Sequence, residues 1–286
     1  MDDRISSILI AFETSDGTYR RDAVDAALNL RPQITPHLIH LLEQVLADPA
    51  AYARRENYLA HLYAIELLGH FREPRAHDVI VDLASLPPEL PHDLFGDLVT
   101  EDLPAILIST CGGSVERIKE LLLDRQADEY CRSSACRALV YAAVEGIVPR
   151  QEIVALLGSL FTGDEAEPDS DFWGFVANSA CDLYPKELMA TLNKAIDDGL
   201  ISTWMIGPES FEQALKRGQD WALRQVKDNL RRYTPDDFHD RMSWWACFRQ
   251  ETQPTRPPVP PAKAQSDPKR GKKPMPRPPK RKKKRP

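Results

Sequence analysis

The 286-residue sequence predicts an all-α protein: an α-solenoid of antiparallel helix pairs, followed by a C-terminal helical cap and a disordered basic tail. Between Arg20 and Phe248, apolar residues recur at spacings of three and four without sustained strand-like alternation. Prolines stand where new apolar runs begin. Residues 253–286 are rich in proline and cations and hold almost no large apolar side chain. We therefore assign residues 1–200 to helical repeats, 201–252 to the cap and 253–286 to the tail.

Individual segments carry the helix prediction. "ENYLAHLYAIELLGHF" places Leu59, Leu62 and Ile65 along one stripe. Thr35 and Thr234 each precede a proline and are predicted N-caps. The first turn of a helix tolerates proline, because an N–H at that position has no intrahelical partner. Six prolines are accordingly predicted at helix starts: Pro36, Pro74, Pro149, Pro185, Pro208 and Pro235.

An internal repeat is visible in four segments, which begin at His61, Asp102, Cys136 and Val176. Each has a helix rich in small residues, a tight turn and a second amphipathic helix, and Arg21 begins a degenerate first copy. A non-repetitive helical bundle remains the alternative. One alanine per copy falls 41, 33 and 39 residues after the last, near the periods of HEAT and tetratricopeptide repeats: Ala64, Ala105, Ala138 and Ala177.

Three segments carry a family resemblance: "LFGDLVTEDLPAILIST", "DEYCRSSACRALVYAAVEGIVPRQEIVALLGSLF" and "DLYPKELMATLNKAIDDGLI". They resemble the bacterial domain-of-unknown-function family 1186 over most of residues 20–240. The resemblance implies a HEAT-like α-solenoid but no activity, since the function of the family is unassigned. Some relatives end in a cysteine-rich zinc motif like that of the bacterial secretion ATPase. The end of this chain has neither Cys nor His, so we predict no zinc there.

The sequence holds no phosphate loop, dinucleotide fingerprint, nucleophile elbow or HExxH, so we predict no catalytic residue, cofactor or metal. His37 and His40 would share a helix face, but two imidazoles alone do not make a metal site. Cys131 and Cys136 lie among apolar residues and are predicted core thiols. We interpret all five cysteines as buried, reduced thiols of a cytoplasmic protein, with Cys247 among them.

Two further clusters have a structural and a functional interpretation. Residues 162–174, "TGDEAEPDSDFWG", alternate acids like a calcium loop but lack the required glycine and closing glutamate, so we predict a solvated loop. All five tryptophans follow residue 172 in the body. They indicate the cap that must cover the last repeat; an aromatic groove for a peptide is the alternative.

The tail has 13 cations against one acid, a net charge of +12, whereas residues 1–252 have 24 cations against 42 acids, a net charge of −18. Its cations can bind polyanions, and we expect the affinity to depend on salt. We expect no stacking on nucleic-acid bases, because no aromatic residue lies among the cations. The tail can equally associate with its own acidic body. The candidate polyanion-binding residues are Lys269, Arg270, Lys272, Lys273, Arg277, Lys280, Arg281, Lys282, Lys283, Lys284 and Arg285.

These observations predict a noncatalytic interaction scaffold or adaptor, whose acidic solenoid binds a protein partner while the tail acts as an electrostatic tether. One alternative is a nucleic-acid-associated protein recruited by its tail. Another is an enzyme accessory of the HEAT-like lyase kind, for which fold analogy is the support. No apolar run reaches the ~18 residues of a membrane span, and we expect a cytoplasmic protein.

Overall fold

A computed structural model describes residues 2–13 and 15–248. Within these ranges every regular element is a helix and no β-strand occurs, which confirms the all-α prediction for this part of the chain. The helices are α1 (Asp3–Glu13), α2 (Arg21–Asn29), α3 (Arg31–Ala47), α4 (Pro49–Ala53), α5 (Ala60–His70), α6 (His77–Ala84), α7 (Leu90–Phe95), α8 (Leu98–Glu101), α9 (Leu103–Thr110), α10 (Glu116–Leu123), α11 (Glu129–Val144), α12 (Arg150–Gly158), α13 (Phe172–Asp182), α14 (Met189–Asp197), α15 (Pro208–Arg217), α16 (Gln219–Tyr233) and α17 (Phe238–Met242).

The predicted tail, residues 253–286, lies outside the described residues. The same holds for every candidate polyanion-binding residue from Lys269 to Arg285. No helix in the described ranges is both long enough and apolar enough to cross a membrane.

Proline marks several helix starts, as predicted. Pro208 is the first residue of α15, Pro149 directly precedes α12, and Pro74 opens a 3-10 turn before α6. The prediction is wrong for Pro36, which lies inside α3. That helix begins five residues earlier because Pro32 already occupies its first turn.

Neither predicted threonine caps a helix N-terminus. Thr35 lies inside α3, where its hydroxyl donates a hydrogen bond to the Arg31 carbonyl at 2.7 Å. Thr234 follows the end of α16 and donates to the Leu230 carbonyl at 3.0 Å. The next helix starts later, where the Asp237 carboxylate accepts the His239 backbone N–H at 2.8 Å.

The first helices of the repeated segments pack against one another in chain order. Helix α5 contacts α9, α9 contacts α11, and α11 contacts α13, while α6 contacts α10 on the side of the second helices. Two glycines with positive φ form the turn between α9 and α10. The four regularly spaced alanines are fully buried: Ala64, Ala105, Ala138 and Ala177.

The C-terminal segment, residues 201–248, runs back along the first helices of the pairs. Helix α15 contacts α13, α16 contacts both α11 and α13, and Arg241 of α17 reaches Glu66 of α5. His239 lies between Tyr19 and Asp25, with Tyr19 Oη 2.9 Å from Nδ1 and Asp25 Oδ1 3.0 Å from Nε2. The contacts of this segment therefore extend well beyond the last helix pair.

Burial of the cysteines follows the prediction with one exception. Cys131 and Cys136 are fully buried, and burial raises the pKa of the Cys136 thiol to about 12. Cys111 is also buried and Cys181 is half-buried. The prediction is wrong for Cys247, which is exposed because Phe248 takes the buried position in the same 3-10 turn.

The acidic loop before α13 is organised by a single carboxylate. Glu165 accepts hydrogen bonds from the Thr162 hydroxyl at 2.6 Å, the Gly163 backbone at 3.1 Å and the Trp173 indole at 3.1 Å. Trp173 itself is fully buried, so this tryptophan is a core residue. One acid of the loop thus anchors a core aromatic residue.

Candidate functional site

A cleft of about 820 Å³ opens between α11 and α13 on one side and α16 and α17 on the other. We call it the polar cleft. Side chains spaced three or four apart on a helix share one face, and this spacing brings polar groups from each wall into the opening. Its walls include Ser133, Arg137 and Tyr141 of α11, Phe175, Asn178 and Asp182 of α13, Asn229 and Arg232 of α16, and Asp240 and Trp244 of the last turns.

Five exposed charged side chains of both signs line the cleft without forming ion pairs. Arg137, Arg232, Glu101, Asp182 and Asp240 are exposed residues of its lining. Among the described residues, none of them has an oppositely charged atom within 4.0 Å. Hydrated surface charges cost little in this state, but they are available to a ligand that brings complementary groups.

Asp182 illustrates the environment of the wall. Water reaches its side chain, yet the cleft surrounds the carboxyl closely with protein atoms, and this desolvation raises its pKa. The positive charge of Arg137 opposes the rise without cancelling it. Asp182 is therefore a better proton donor or neutral hydrogen-bonding group than an ordinary surface aspartate.

A buried group of three charges forms the end of the cleft next to α5 and α9. Glu66 is fully buried, Arg241 is 5% exposed and Asp102 is 7% exposed. Arg241 Nε contacts the Glu66 carboxylate, and its Nη2 lies 3.9 Å from Asp102 Oδ1. The guanidinium also donates from Nη1 to the Tyr233 carbonyl at 2.8 Å. The Arg241 guanidinium is thus the cation next to both carboxyl groups.

Burial raises the pKa values of both carboxyl groups. Loss of water raises the pKa of Glu66 to about 8, against the attraction of Arg241 and with a further contribution from Asp102. Desolvation also raises the pKa of Asp102. Two buried carboxyl groups around one guanidinium are therefore harder to ionise together than either would be alone.

No sequence motif reveals this group, because its members come from three distant segments. Glu66 nevertheless left a signal in the sequence. It is the only acid in the otherwise apolar helix "AHLYAIELLGH", and a charge on an apolar face needs a buried partner. Nothing in the sequence identified the partner as Arg241.

A smaller cavity of about 360 Å³ adjoins the polar cleft. The two cavities share Glu101, Asp102 and Trp244, and the smaller one is otherwise lined mostly by apolar residues of α5, α7 and the last turn. Trp244 is 53% exposed, and Trp245 lies in the smaller cavity. Trp244 and Trp245 therefore line a groove, as the alternative of an aromatic groove for a peptide requires.

His37 and His40, which we interpret as structural or solvated histidines, lie away from the cleft, on α3. His37 is half-buried, and exposed His40 has Nδ1 3.4 Å from Glu43 Oε2. In the part of the chain that the structure describes, no three His, Cys, Asp or Glu side chains are grouped as metal ligands would be.

Comparison with known proteins confirms the resemblance found in the sequence. Residues 3–249 match the family described as "Protein of unknown function (DUF1186)". The chain belongs to this family. It is similar to an uncharacterized protein of Chlamydia trachomatis serovar D, at 34% identity over 223 residues that cover 78% of this chain and 88% of the relative. An uncharacterized protein of Chlamydia muridarum is 33% identical over 242 residues, 84% of this chain and 96% of the relative. No solved structure matches the chain.

Proposed function

We propose that this DUF1186 protein is a noncatalytic interaction scaffold that holds a polar segment of a protein partner in the polar cleft. The unpaired charges of both signs in the cleft carry this proposal. Groups that gain from a complementary partner provide specificity and orientation, which a scaffold needs more than raw affinity. The basic tail adds an electrostatic tether for the same partner or for its neighbours.

The proposed framework is a HEAT-like solenoid. Its support is the ordered contact of each first helix with the next, together with the fully buried alanine in every repeat. A solenoid presents an extended surface along its stacked helices. Here α16 covers part of that surface and forms one wall of the cleft, so the partner would bind between the solenoid and its own C-terminal segment.

Site-specific photo-crosslinking in the producing cells tests the scaffold proposal. A photoreactive phenylalanine analogue replaces Asn229, which is exposed in the cleft, or Glu212, which is exposed on α15 as a matched control. We expect position 229 to crosslink a defined protein and position 212 to miss it. Crosslinks to small molecules alone, or equal crosslinking from both positions, would contradict a protein partner in the cleft.

An enzyme accessory that works through general acid catalysis is the second candidate, favoured by one observation. Asp182 combines access to water with a raised pKa and lies near Arg137, an arrangement that suits proton donation to a polar substrate. Incubation of the protein with a small-molecule extract of its cells tests this. A compound consumed by the wild-type protein but not by Asp182→Asn would favour the enzyme; unchanged extract profiles for both would favour the scaffold.

Recruitment to nucleic acid by the tail is the third candidate, and the sequence of the tail favours it. Replacing Lys280, Arg281, Lys282, Lys283, Lys284 and Arg285 with glutamine tests it in the full-length chain. Under this alternative, RNA affinity falls in the variant, and wild-type affinity falls steeply between low and physiological salt. RNA binding that resists salt, or that survives the substitutions, would contradict an electrostatic tether.

A further inference from the structure

We infer that Glu101 and Asp102 form a binding site for a basic side chain, a guanidinium or an ammonium group, presented by the segment that enters the polar cleft. We call these two residues the carboxylate end. The inference rests on the proposed scaffold function and names the chemistry that its partner would bring.

Asp102 is a largely buried acid that has no hydrogen-bonding cation among the described residues. Asp102 is 7% exposed, and its side chain makes no hydrogen bond to the described residues. Arg241 is the nearest cation, but Nη2 is 3.9 Å from Asp102 Oδ1, beyond hydrogen-bond distance, because the guanidinium is held by Glu66 and the Tyr233 carbonyl. The residue as a whole is largely buried, so little water surrounds its carboxylate, and a ligand cation that donates to this group would compensate for the lost hydration.

A ligand can reach both carboxyl groups of the carboxylate end. Asp102 lines both the polar cleft and the smaller cavity beside it, so a ligand can approach it from either side. Glu101 is exposed next to it and has no ion pair among the described residues, which leaves its carboxylate available. Two adjacent carboxylates, one buried and one exposed, match a bidentate guanidinium or the several donors of an ammonium group.

The surrounding surface favours a basic side chain over a bare inorganic cation. The aromatic residue Trp244 lines both cavities, and the smaller cavity is largely apolar, with Leu62, Phe95 and Leu98 in its lining. Lysine and arginine carry long aliphatic stems that pack on apolar and aromatic surface while the charged group reaches a carboxylate. A lysine or arginine side chain can therefore pack its aliphatic stem on this apolar surface while its charged group reaches Asp102.

Peptide titration of the full-length protein tests the inference. The probes are acetyl-Gly-Gly-Xaa-Gly-Gly-amide peptides in which Xaa is Arg, Lys, norleucine or Glu. Nuclear magnetic resonance follows the labelled tryptophan indole groups, with the Trp244 signal assigned from a Trp244→Phe variant. We expect the Arg and Lys peptides to shift the Trp244 signal and the norleucine and Glu peptides to leave it in place. Equal shifts from norleucine, or a larger shift from Glu, would overturn the inference.

Matched variants locate the binding. We expect Asp102→Asn to weaken Arg-peptide binding at least tenfold and Glu101→Gln at least threefold, while Glu212→Gln on α15 leaves it unchanged. A melting curve accompanies each variant. Glu101 is exposed, so its substitution reports on binding even if Asp102→Asn disturbs the fold. Wild-type affinity in the Glu101→Gln variant and in a folded Asp102→Asn variant would overturn the site.

The basic side chain is presented by a protein partner, so the same variants also bear on partner capture. A protein crosslink from position 229 that Glu101→Gln leaves unaltered would retain the scaffold but refute the basic anchor.

Discussion

The surface formed by α6, α10 and α12 differs from the polar cleft in how its charged residues are paired. On the second helices, Arg117 of α10 contacts Asp82 of α6, and Lys119 of α10 lies 2.7 Å from Glu152 of α12. Each of these ion pairs joins one helix pair to the next. In the cleft, charges such as Arg137 and Asp240 have no such partner among the described residues. Paired charges thus join neighbouring helix pairs, whereas the charges of the cleft form no contact of this kind among the described residues, as the proposed binding surface requires.

The largest effect should come from the buried charges at the end of the cleft. Arg241→Met would remove the cation that contacts the buried carboxyl group of Glu66, and at pH 9, where Glu66 is largely ionised, we expect a loss of about 3–5 kcal/mol in the free energy of unfolding. Urea denaturation measures this loss. The double variant Arg241→Met with Glu66→Gln removes both charges and should recover part of it. A double variant that is no more stable than the single one would show that the guanidinium acts through its other contacts.

Arg150 should give the next largest effect, since it joins α12 to the turn before α14. It is 9% exposed and donates from Nε to the Leu183 carbonyl at 2.6 Å and from Nη1 to Glu187 at 2.7 Å. Arg150→Ala leaves these acceptors unpaired, and we expect a loss of about 2–3 kcal/mol. Thermal unfolding checks this value. A loss no larger than that of an exposed arginine would contradict a role in joining the two helix pairs.

Glu66 should also make stability depend on pH. Its pKa is about 8 in the folded protein and 4.5 in the unfolded chain, so the folded state binds more protons between these values. Stability therefore falls as pH rises through this window, with a slope below about 1.4 kcal/mol per pH unit. Urea denaturation at pH 5.5, 6.5 and 7.5 should show a smaller decline for Glu66→Gln than for wild type, and an unchanged decline for Glu212→Gln. Parallel profiles for wild type and Glu66→Gln would show that Glu66 is ionised throughout.

The smallest effects separate the two kinds of charge directly. Arg117→Ala removes exposed ion pairs to Asp82 and Glu120 and should cost at most about 1 kcal/mol. Arg137→Ala removes no ion pair and should change stability by less than about 0.5 kcal/mol. In the crosslinking experiment the order should reverse, with Arg137→Ala reducing partner capture and Arg117→Ala leaving it intact. Equal capture by both variants would remove the functional distinction between the two surfaces.

Most of the framework could be predicted from the sequence, because helix formation is encoded locally. The apolar spacing predicted α5, and the regularly spaced alanines lie at positions that are fully buried in the structure. The N-caps failed at Thr35 and Thr234 because a competing start signal stood nearby: Pro32 in one case and Asp237 in the other.

The candidate site could not be predicted in the same way. Its carboxyl groups come from α5 and the start of α9, while its arginine comes from α17. No spacing rule relates residues so far apart in the chain, since tertiary packing alone brings them together. The single acid in the helix Ala60–His70 is a signal for such a group that our sequence predictions did not use, and the course of the C-terminal segment determines where its cation lies.

The contact of His239 with Tyr19 and Asp25 has a consequence for biosynthesis. Tyr19 and His239 are 220 positions apart, so nearly the whole body must be translated before this contact can form. The amino-terminal helices emerge from the ribosome first, but their contacts with the C-terminal segment can form only near the end of translation. Contacts of such long sequence separation form slowly, because a long loop must close before they contribute. A nascent chain stalled before residue 238 would therefore lack its final tertiary contacts at the amino-terminal end, and proteases should cleave it there first.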